Sequence, residues 1–398
     1  MKITLGVENL KQNFDNLDLA VGNVALLAHA ASVDQNYIHT VDTIKSLYGN
    51  RFKALFGPQH GFVCDVQDNM VETKDFIHPH YKVPVYSLYG NTRIPTDDML
   101  EDIDTIFVDL ADVGTRVYTY ISTLYLLMEK CQEKNIKIII LDRPNPVGGE
   151  IIEGNILELE YQSFVGLAET PMRHGMTMGE VAKFYQKKYF NKCSLEIIPM
   201  LNWKREYHFN DCNLDWINPS PNLSTPISSL TFCGSVLFEG TNISEGRGTT
   251  RALEQLGFPG VDPYKFTEFF YGQWKDVLDN SFILRPVNFL PTFQKHSGKN
   301  CGGVFIHPLN KNFRSWQTSQ LLLKTWIKYL GESFEWNEKP YEYKFKGLAI
   351  DYINGSKSLR DWYYKDDNNK SSFQELFALE NNDLLNNFKN LRKENLIY

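Results

Sequence analysis

Six short segments of this chain gather side chains able to do chemistry. Phe56-Gly-Pro-Gln-His-Gly61 sets the amide of Gln59 and the imidazole of His60 between glycines, which let backbone turn sharply and approach a ligand closely. The same pattern also serves an ordinary turn. Between Asp109 and Tyr120 lie two acids, an arginine and two tyrosines: Asp109, Asp112, Arg116, Tyr118 and Tyr120. The acids either cap the next helix and pair with Arg116, or accept paired hydrogen bonds from vicinal sugar hydroxyls while a tyrosine ring stacks on the pyranose. Two carboxyls roughly 5–10 Å apart are the usual equipment for glycoside hydrolysis. Leu141-Asp-Arg-Pro-Asn-Pro146 projects Asp142, Arg143 and Asn145 from backbone stiffened by two prolines. Glu153 follows, and Arg173-His174-Gly175 precedes a helical stretch containing Glu180. Asn222 closes the turn-rich Asn218-Pro-Ser-Pro-Asn222. Phe238–Thr250 packs Glu239, Asn242, Glu245 and Arg247 among three glycines. A Glu–Arg pair on such backbone suits an anionic, hydroxylated ligand, because arginine grips a carboxylate through two parallel bonds.

The elements that must position these groups alternate. Short apolar runs at Ile3–Val7, Val24–Ala28, Ala54–Phe56, Val83–Tyr86, Thr105–Leu110 and Ile136–Leu141 read as strands, and Tyr120–Lys134 has helical periodicity. Such alternation implies an α/β fold: a Rossmann-like, parallel-sheet N-terminal domain with its chemistry in the loops beyond the carboxyl ends of the strands. After Asn222 the aromatic density rises and strand-like and amphipathic pieces mix. A smaller α+β C-terminal domain is therefore expected, dividing the chain into 1–225 and 226–398. Phe373–Arg392 reads as one amphipathic terminal helix.

Several functions are disfavoured. Lys plus Arg is 41 and Asp plus Glu 48, a formal charge of −7, and no basic run offers a nucleic-acid surface. No stretch approaches the ~18 apolar residues of a membrane span. No G-x-G-x-x-G follows the first strand and no P-loop occurs, so no nucleotide cofactor is expected. The nine histidines and six cysteines form no metal-binding pattern, and His78 and His80, flanking Pro79, are expected to be solvated. Absence of an apolar leader at the N-terminus gives a cytoplasmic expectation, and scattered cysteines suit a reducing compartment. The expected partner is a small sugar; oligomeric state is not legible.

Taken in order, Gly-Pro-Gln-His-Gly, Val85-Tyr-Ser-Leu-Tyr-Gly90, Asp-Val-Gly-Thr-Arg-Val-Tyr-Thr-Tyr, Leu-Asp-Arg-Pro-Asn-Pro, Arg-His-Gly-Met-Thr, Pro-Ser-Pro-Asn and Glu-Gly-Thr-Asn-Ile-Ser-Glu-Gly-Arg-Gly-Thr resemble the exo-β-N-acetylmuramidase family NamZ, formerly a domain of unknown function. The resemblance runs from the first strand nearly to the C-terminus. It implies a cleft between a Rossmann-like domain and a smaller C-terminal one, and release of N-acetylmuramic acid from non-reducing ends of peptidoglycan-derived chains. It further implies that Gln59, His60, Tyr89, Asp109 and Asp112 surround the scissile bond. Arg116, Tyr118, Asp142, Arg143, Asn145, Arg173, His174, Asn222, Glu239, Asn242, Glu245 and Arg247 are then expected to contact substrate. In the family pattern the strand-end motif reads Pro-Glu-His-Gly, with the glutamate as proposed catalytic carboxyl; here it is Gln59, and an amide neither protonates a leaving oxygen nor serves as a base. Three outcomes follow as expectations: hydrolysis through another acid, with Asp109, Asp112, Glu239 and Glu245 as the candidates; Gln59 serving only to position a water; or non-catalytic binding of amino sugars on the same scaffold.

Overall fold

A computed structural model describes residues 2–398 apart from 18, 20, 21, 68, 69 and 366–368. At its centre are β1 (Val24–Ala28), β2 (Phe52–Gly57), β3 (Phe76–Ile77), β4 (Pro84–Ser87), β5 (Thr105–Asp109), β6 (Lys137–Leu141) and β7 (Leu195–Ile198). They form one sheet in the order β3-β4-β2-β1-β5-β6-β7. Every neighbouring pair is parallel except β3 with β4 at the edge.

β1 and β5 are buried along their whole length, as expected of strands covered on both faces. Alternate residues go to opposite sides. Val24, Leu26, Phe107 and Ile139 pack with Val7 and Leu10 of α1 (Gly6–Asn13) and Val41 and Ile44 of α2 (Thr40–Tyr48). Ala25, Leu27, Val108 and Ile140 pack with Leu124 and Met128 of α3 (Tyr120–Lys134) and Val181 and Phe184 of α4 (Met178–Lys188). The period-2 pattern of the strands thus assigns helices to both faces.

Residues 3–7 depart from the expected strand. Only Thr4 bridges, to Leu201, and the chain enters α1 at Gly6. The Leu5 N–H donates to Glu8 Oε2 at 2.8 Å, satisfying a helix-end donor. A Cβ on Gly6 would lie 2.3 Å from the Asp142 nitrogen, so the glycine lets α1 start directly against the end of β6.

Further along the chain are α5 (Pro226–Ser235), β8 (Gln255–Pro259), α6 (Pro263–Trp274), β9 (Phe282–Phe289), β10 (Cys301–Pro308) and α7 (Ser315–Leu330). The three strands make a separate antiparallel sheet, ordered β8-β10-β9. α8 (Ala349–Asn354), α9 (Ser358–Tyr363), α10 (Asn369–Glu380) and α11 (Asp383–Glu394) complete the chain. The single terminal helix expected at 373–392 is two helices, because Asn382 accepts from the Leu385 N–H at 3.1 Å and caps a new start. The chain end then returns to the first sheet: Arg392 donates to the Gly175 carbonyl at 2.7 Å and Tyr398 Oη to Asp142 at 2.7 Å. No helix among the described residues is long and apolar enough to cross a membrane.

Candidate active site

β2 stops at Gly57, where a Cβ would sit 2.6 Å from the Phe62 nitrogen, so only glycine allows the following turn to fold back. His60 and Gly61 both take positive φ, 69° and 76°. The turn presents Gln59 and His60 beyond the carboxyl edge of the sheet. Gln59 Oε1 accepts from Thr119 Oγ1 at 2.5 Å, and its Nε2 donates to none of the described residues. His60 Nδ1 lies 2.8 Å from the Val66 carbonyl. A carbonyl only accepts, so Nδ1 carries the proton and Nε2 holds the lone pair. Burial lowers the ring's pKa to about 4, and His60 is neutral near pH 7.

Gln59 and His60 line a cavity of about 40 Å³ with Tyr118, Ser220, Asn222, Glu239, Arg247, Tyr341 and Glu342. That volume holds water rather than a sugar ring. Glu239 accepts from Arg247 through Oε1 and from Tyr341 Oη at 2.9 Å through Oε2. Arg247 Nε is 3.1 Å from Glu245, whose other oxygen meets Lys295 Nζ at 2.8 Å. Burial drives Glu245 upward, but Lys295 and Arg247 together outweigh it and leave its pKa below the usual range. Asn222 Nδ2 donates to the Gln67 carbonyl at 2.7 Å.

Glu342 has a different setting. Both its oxygens lie 3.0 Å from Tyr89 Oη, its N–H points at Met70 Sδ at 3.3 Å, and it is 5% exposed. Burial pushes its carboxyl up to about 7, against the pull of the Tyr89 hydrogen bond. Glu342 and Tyr343 both occupy the left-handed region, φ 46° and 63°, uncommon for non-glycine residues. Tyr343 Oη donates to Glu72 at 2.8 Å, and the Arg93 guanidinium sits 3.9 Å from the Tyr343 ring centroid and 4.6 Å from that of Tyr89. The strained turn is thus pinned from both sides.

The remaining expected residues lie outside this lining. Asp109, fully buried, is gripped by Arg143 through two nitrogens and by Thr40. Asp112 accepts from the Gly114 N–H at 2.7 Å and lies 3.7 Å from His174 Nε2. Asp142 accepts from Thr177 Oγ1 at 2.7 Å and the Gly179 N–H at 2.8 Å at the start of α4; burial raises its pKa to about 6. Arg116 donates to the carbonyls of Asn155, Thr170, Ile353 and Asn354. Arg173 pairs with Glu153 at 3.2 Å, Asn145 spans Met176 and Val147, and Asn242 donates to the Ser333 carbonyl. Tyr89 reaches the cavity through Glu342.

Asp112 and Arg143 instead border a second cavity, of about 270 Å³, with Val33, Asp34, Ala111 and Trp216. It lies past the ends of β1, β5 and β6. No group of three or more potential metal ligands occurs among the described residues. Tyr341 and Glu342 were not singled out from sequence. Their only signal there is a carboxyl inside the aromatic run Tyr341-Glu-Tyr-Lys-Phe345, with no glycine or recurring motif beside it.

Comparison with known proteins gives a consistent result. The family model described as "Exo-beta-N-acetylmuramidase NamZ, N-terminal" matches residues 24–227, and the corresponding C-terminal model matches 230–398. The chain is similar to the peptidoglycan beta-N-acetylmuramidase NamZ of Bacillus subtilis (strain 168), with 39% identity over 339 residues, 84% of this chain and 80% of that protein. Among solved structures, a DUF1343 family protein of Bacteroides fragilis NCTC 9343 superposes with a TM-score of 0.84 at 29% identity, covering 100% of this chain and 99% of the other. A second DUF1343 protein from the same organism gives 0.70 at 25% identity, with the same coverage. With both halves matched in order, the chain belongs to the exo-β-N-acetylmuramidase NamZ family.

Proposed function

We propose that this chain is a glycoside hydrolase that releases N-acetylmuramic acid from the non-reducing ends of peptidoglycan-derived fragments, at the cavity between the Gln59–His60 turn and Glu239. The observation that carries this reading is a pair of carboxyls, Glu239 and Glu342, lining one cavity in unlike surroundings. Glu239 is tied to a guanidinium and a phenol, while the Glu342 carboxyl, among the described residues, accepts from a phenol alone. Two acids whose environments differ in this way suit glycoside hydrolysis. Arg247 is the cation of the cavity lining and is assigned to the lactyl carboxylate; Gln59 Nε2 is assigned to the acetamido carbonyl and the Tyr118 ring to the sugar face. A cavity of that volume is too small for a sugar ring, so binding requires it to widen.

The six free thiols, five of them buried, favour a reducing cytoplasm in which imported wall fragments are the substrate. A second reading, a non-catalytic muropeptide binder, is favoured by Gln59, which supplies no proton. Chromophore release from an aryl β-N-acetylmuraminide, run beside the matching glucosaminide, separates the two. Turnover on the muraminide alone supports the hydrolase. Calorimetric binding without turnover on either supports the binder.

A further inference from the structure

We propose that Glu342 is the acid that protonates the departing aglycone oxygen, the task that Gln59 cannot perform. This role rests on the hydrolase reading above. The cavity lining offers few proton donors. Gln59 ends in an amide. His60 commits its one ring proton to the Val66 carbonyl and turns a lone pair to the cavity. Glu239 is committed to an ion pair with Arg247 through one oxygen and accepts from Tyr341 through the other. Glu342 alone among the lining carboxyls has no cationic partner within ion-pair distance among the described residues. Tyr89 Oη straddles its two oxygens at 3.0 Å each. When one oxygen is protonated, Tyr89 still donates to the other, so the proton-bearing oxygen remains available to the cavity. Two further features aim the group. Its backbone is held at φ 46°, a strained conformation of the kind kept where a side chain must point in one direction. Its neighbour Tyr343 is anchored by Glu72 and Arg93. Burial also keeps the carboxyl protonated up to about pH 7, the range a general acid needs.

In the step, the C1–O bond to the aglycone breaks and its electron pair stays on the aglycone oxygen. That oxygen takes the proton of Glu342 and leaves as an alcohol. Water adds at C1 and loses a proton to solvent, and Glu342, now a carboxylate, is reprotonated from solvent. The sum is one water consumed per bond cleaved.

The leaving group provides the test. Glu342→Gln and Tyr89→Phe are assayed against the native protein on a muramic acid disaccharide, whose alkoxide needs a proton, and on the 2,4-dinitrophenyl muraminide, whose phenolate does not. For Glu342→Gln, kcat on the disaccharide is expected to fall about 10²–10⁴-fold, with KM little changed and the dinitrophenyl rate reduced far less. Native kcat/KM on the disaccharide is expected to decline above about pH 7. Tyr89→Phe removes the bond that favours the charged form, so its decline moves to higher pH. Thermal melting at pH 8 confirms that Glu342→Gln is folded. Equal losses on both substrates, or full disaccharide activity in Glu342→Gln, overturn the assignment while leaving the hydrolase intact. A native protein silent on every muraminide overturns the hydrolase reading and this role with it.

Discussion

The two cavities at the carboxyl edge of the main sheet differ in position and in how burial is compensated. The larger lies where strand order reverses, with β2 and β5 on opposite sides of β1, the place where open α/β sheets usually bind ligands. There Asp109 and Arg143 grip each other, and the guanidinium's remaining reach goes to the Val33 carbonyl at 2.9 Å. The smaller lies one strand across, past β2, and is walled by Glu239, Arg247, Tyr341 and Glu342 from far along the chain. Glu342 is as buried as the charges of the first cavity, yet it meets a neutral phenol instead of a cation. Room and position favour one site; an uncompensated carboxyl favours the other. The difference teaches that chemistry is better sought where burial leaves a group poised to change its charge than where the hole is widest.

That contrast is open to test, beginning with its stiffest member. Arg143→Ala strands Asp109 as a buried charge and is expected to cost about 3–5 kcal/mol in urea unfolding. A variant that unfolds like the native protein would show the pair to be dispensable and the larger cavity free to engage a ligand.

The Glu342 side should behave in the opposite sense. Its folded pKa of about 7 lies above the unfolded value, so its contribution to stability is fully present below about pH 4.5 and is lost as pH rises through 7. Glu342→Gln, which cannot ionise, should therefore gain up to about 3 kcal/mol relative to the native protein at pH 8, and nothing at pH 4. Melting curves at the two values check it, and no gain at pH 8 would mean that the carboxyl is adequately solvated.

His60 sharpens the comparison from the acid side. Its folded pKa, about 4, lies below the unfolded one, so stability is present above about 6.5 and is lost as pH falls through 4. At pH 5 this amounts to about 2 kcal/mol, and His60→Gln should flatten the slope of melting temperature between pH 7 and 4. A slope unchanged in the variant would assign it to another group. The smallest effect is expected from Gln59→Glu. A new like charge in the cavity favours the protonated form of Glu342 and moves the alkaline limb of activity upward; a limb that stays put would separate the two side chains electrostatically.

Much of this arrangement can be read from the chain in advance. The short apolar runs of β1, β5 and β6 announce buried parallel strands, and Gln59, Glu239 and Arg247 stand out because they are polar groups on glycine-bearing turns. Ile3–Val7 misleads because a five-residue apolar run fits a buried helix start as well as a strand. Asp109 and Asp142 carry the same signature as site residues, polar groups at strand ends, but that signature equally marks a carboxyl gripping an arginine or capping a helix. Glu342 is illegible for another reason. Its meaning comes from contact with Tyr89, 253 residues earlier, and no local pattern encodes a meeting at that separation.

Arg116 carries a consequence in time. Fully buried, with burial alone lowering its pKa to about 9, it donates to the carbonyls of Asn155 and Thr170 and to those of Ile353 and Asn354, up to 238 positions later. A ribosome adding about 5–20 residues per second needs roughly 10–50 s to make that stretch. Throughout this interval the guanidinium lacks half of its carbonyl partners, and the Gln59 turn still awaits Tyr341 and Glu342. Slowing or stalling translation before residue 353 is thus expected to leave Arg116 without two of its four carbonyl partners and the first sheet less stable than in the finished protein.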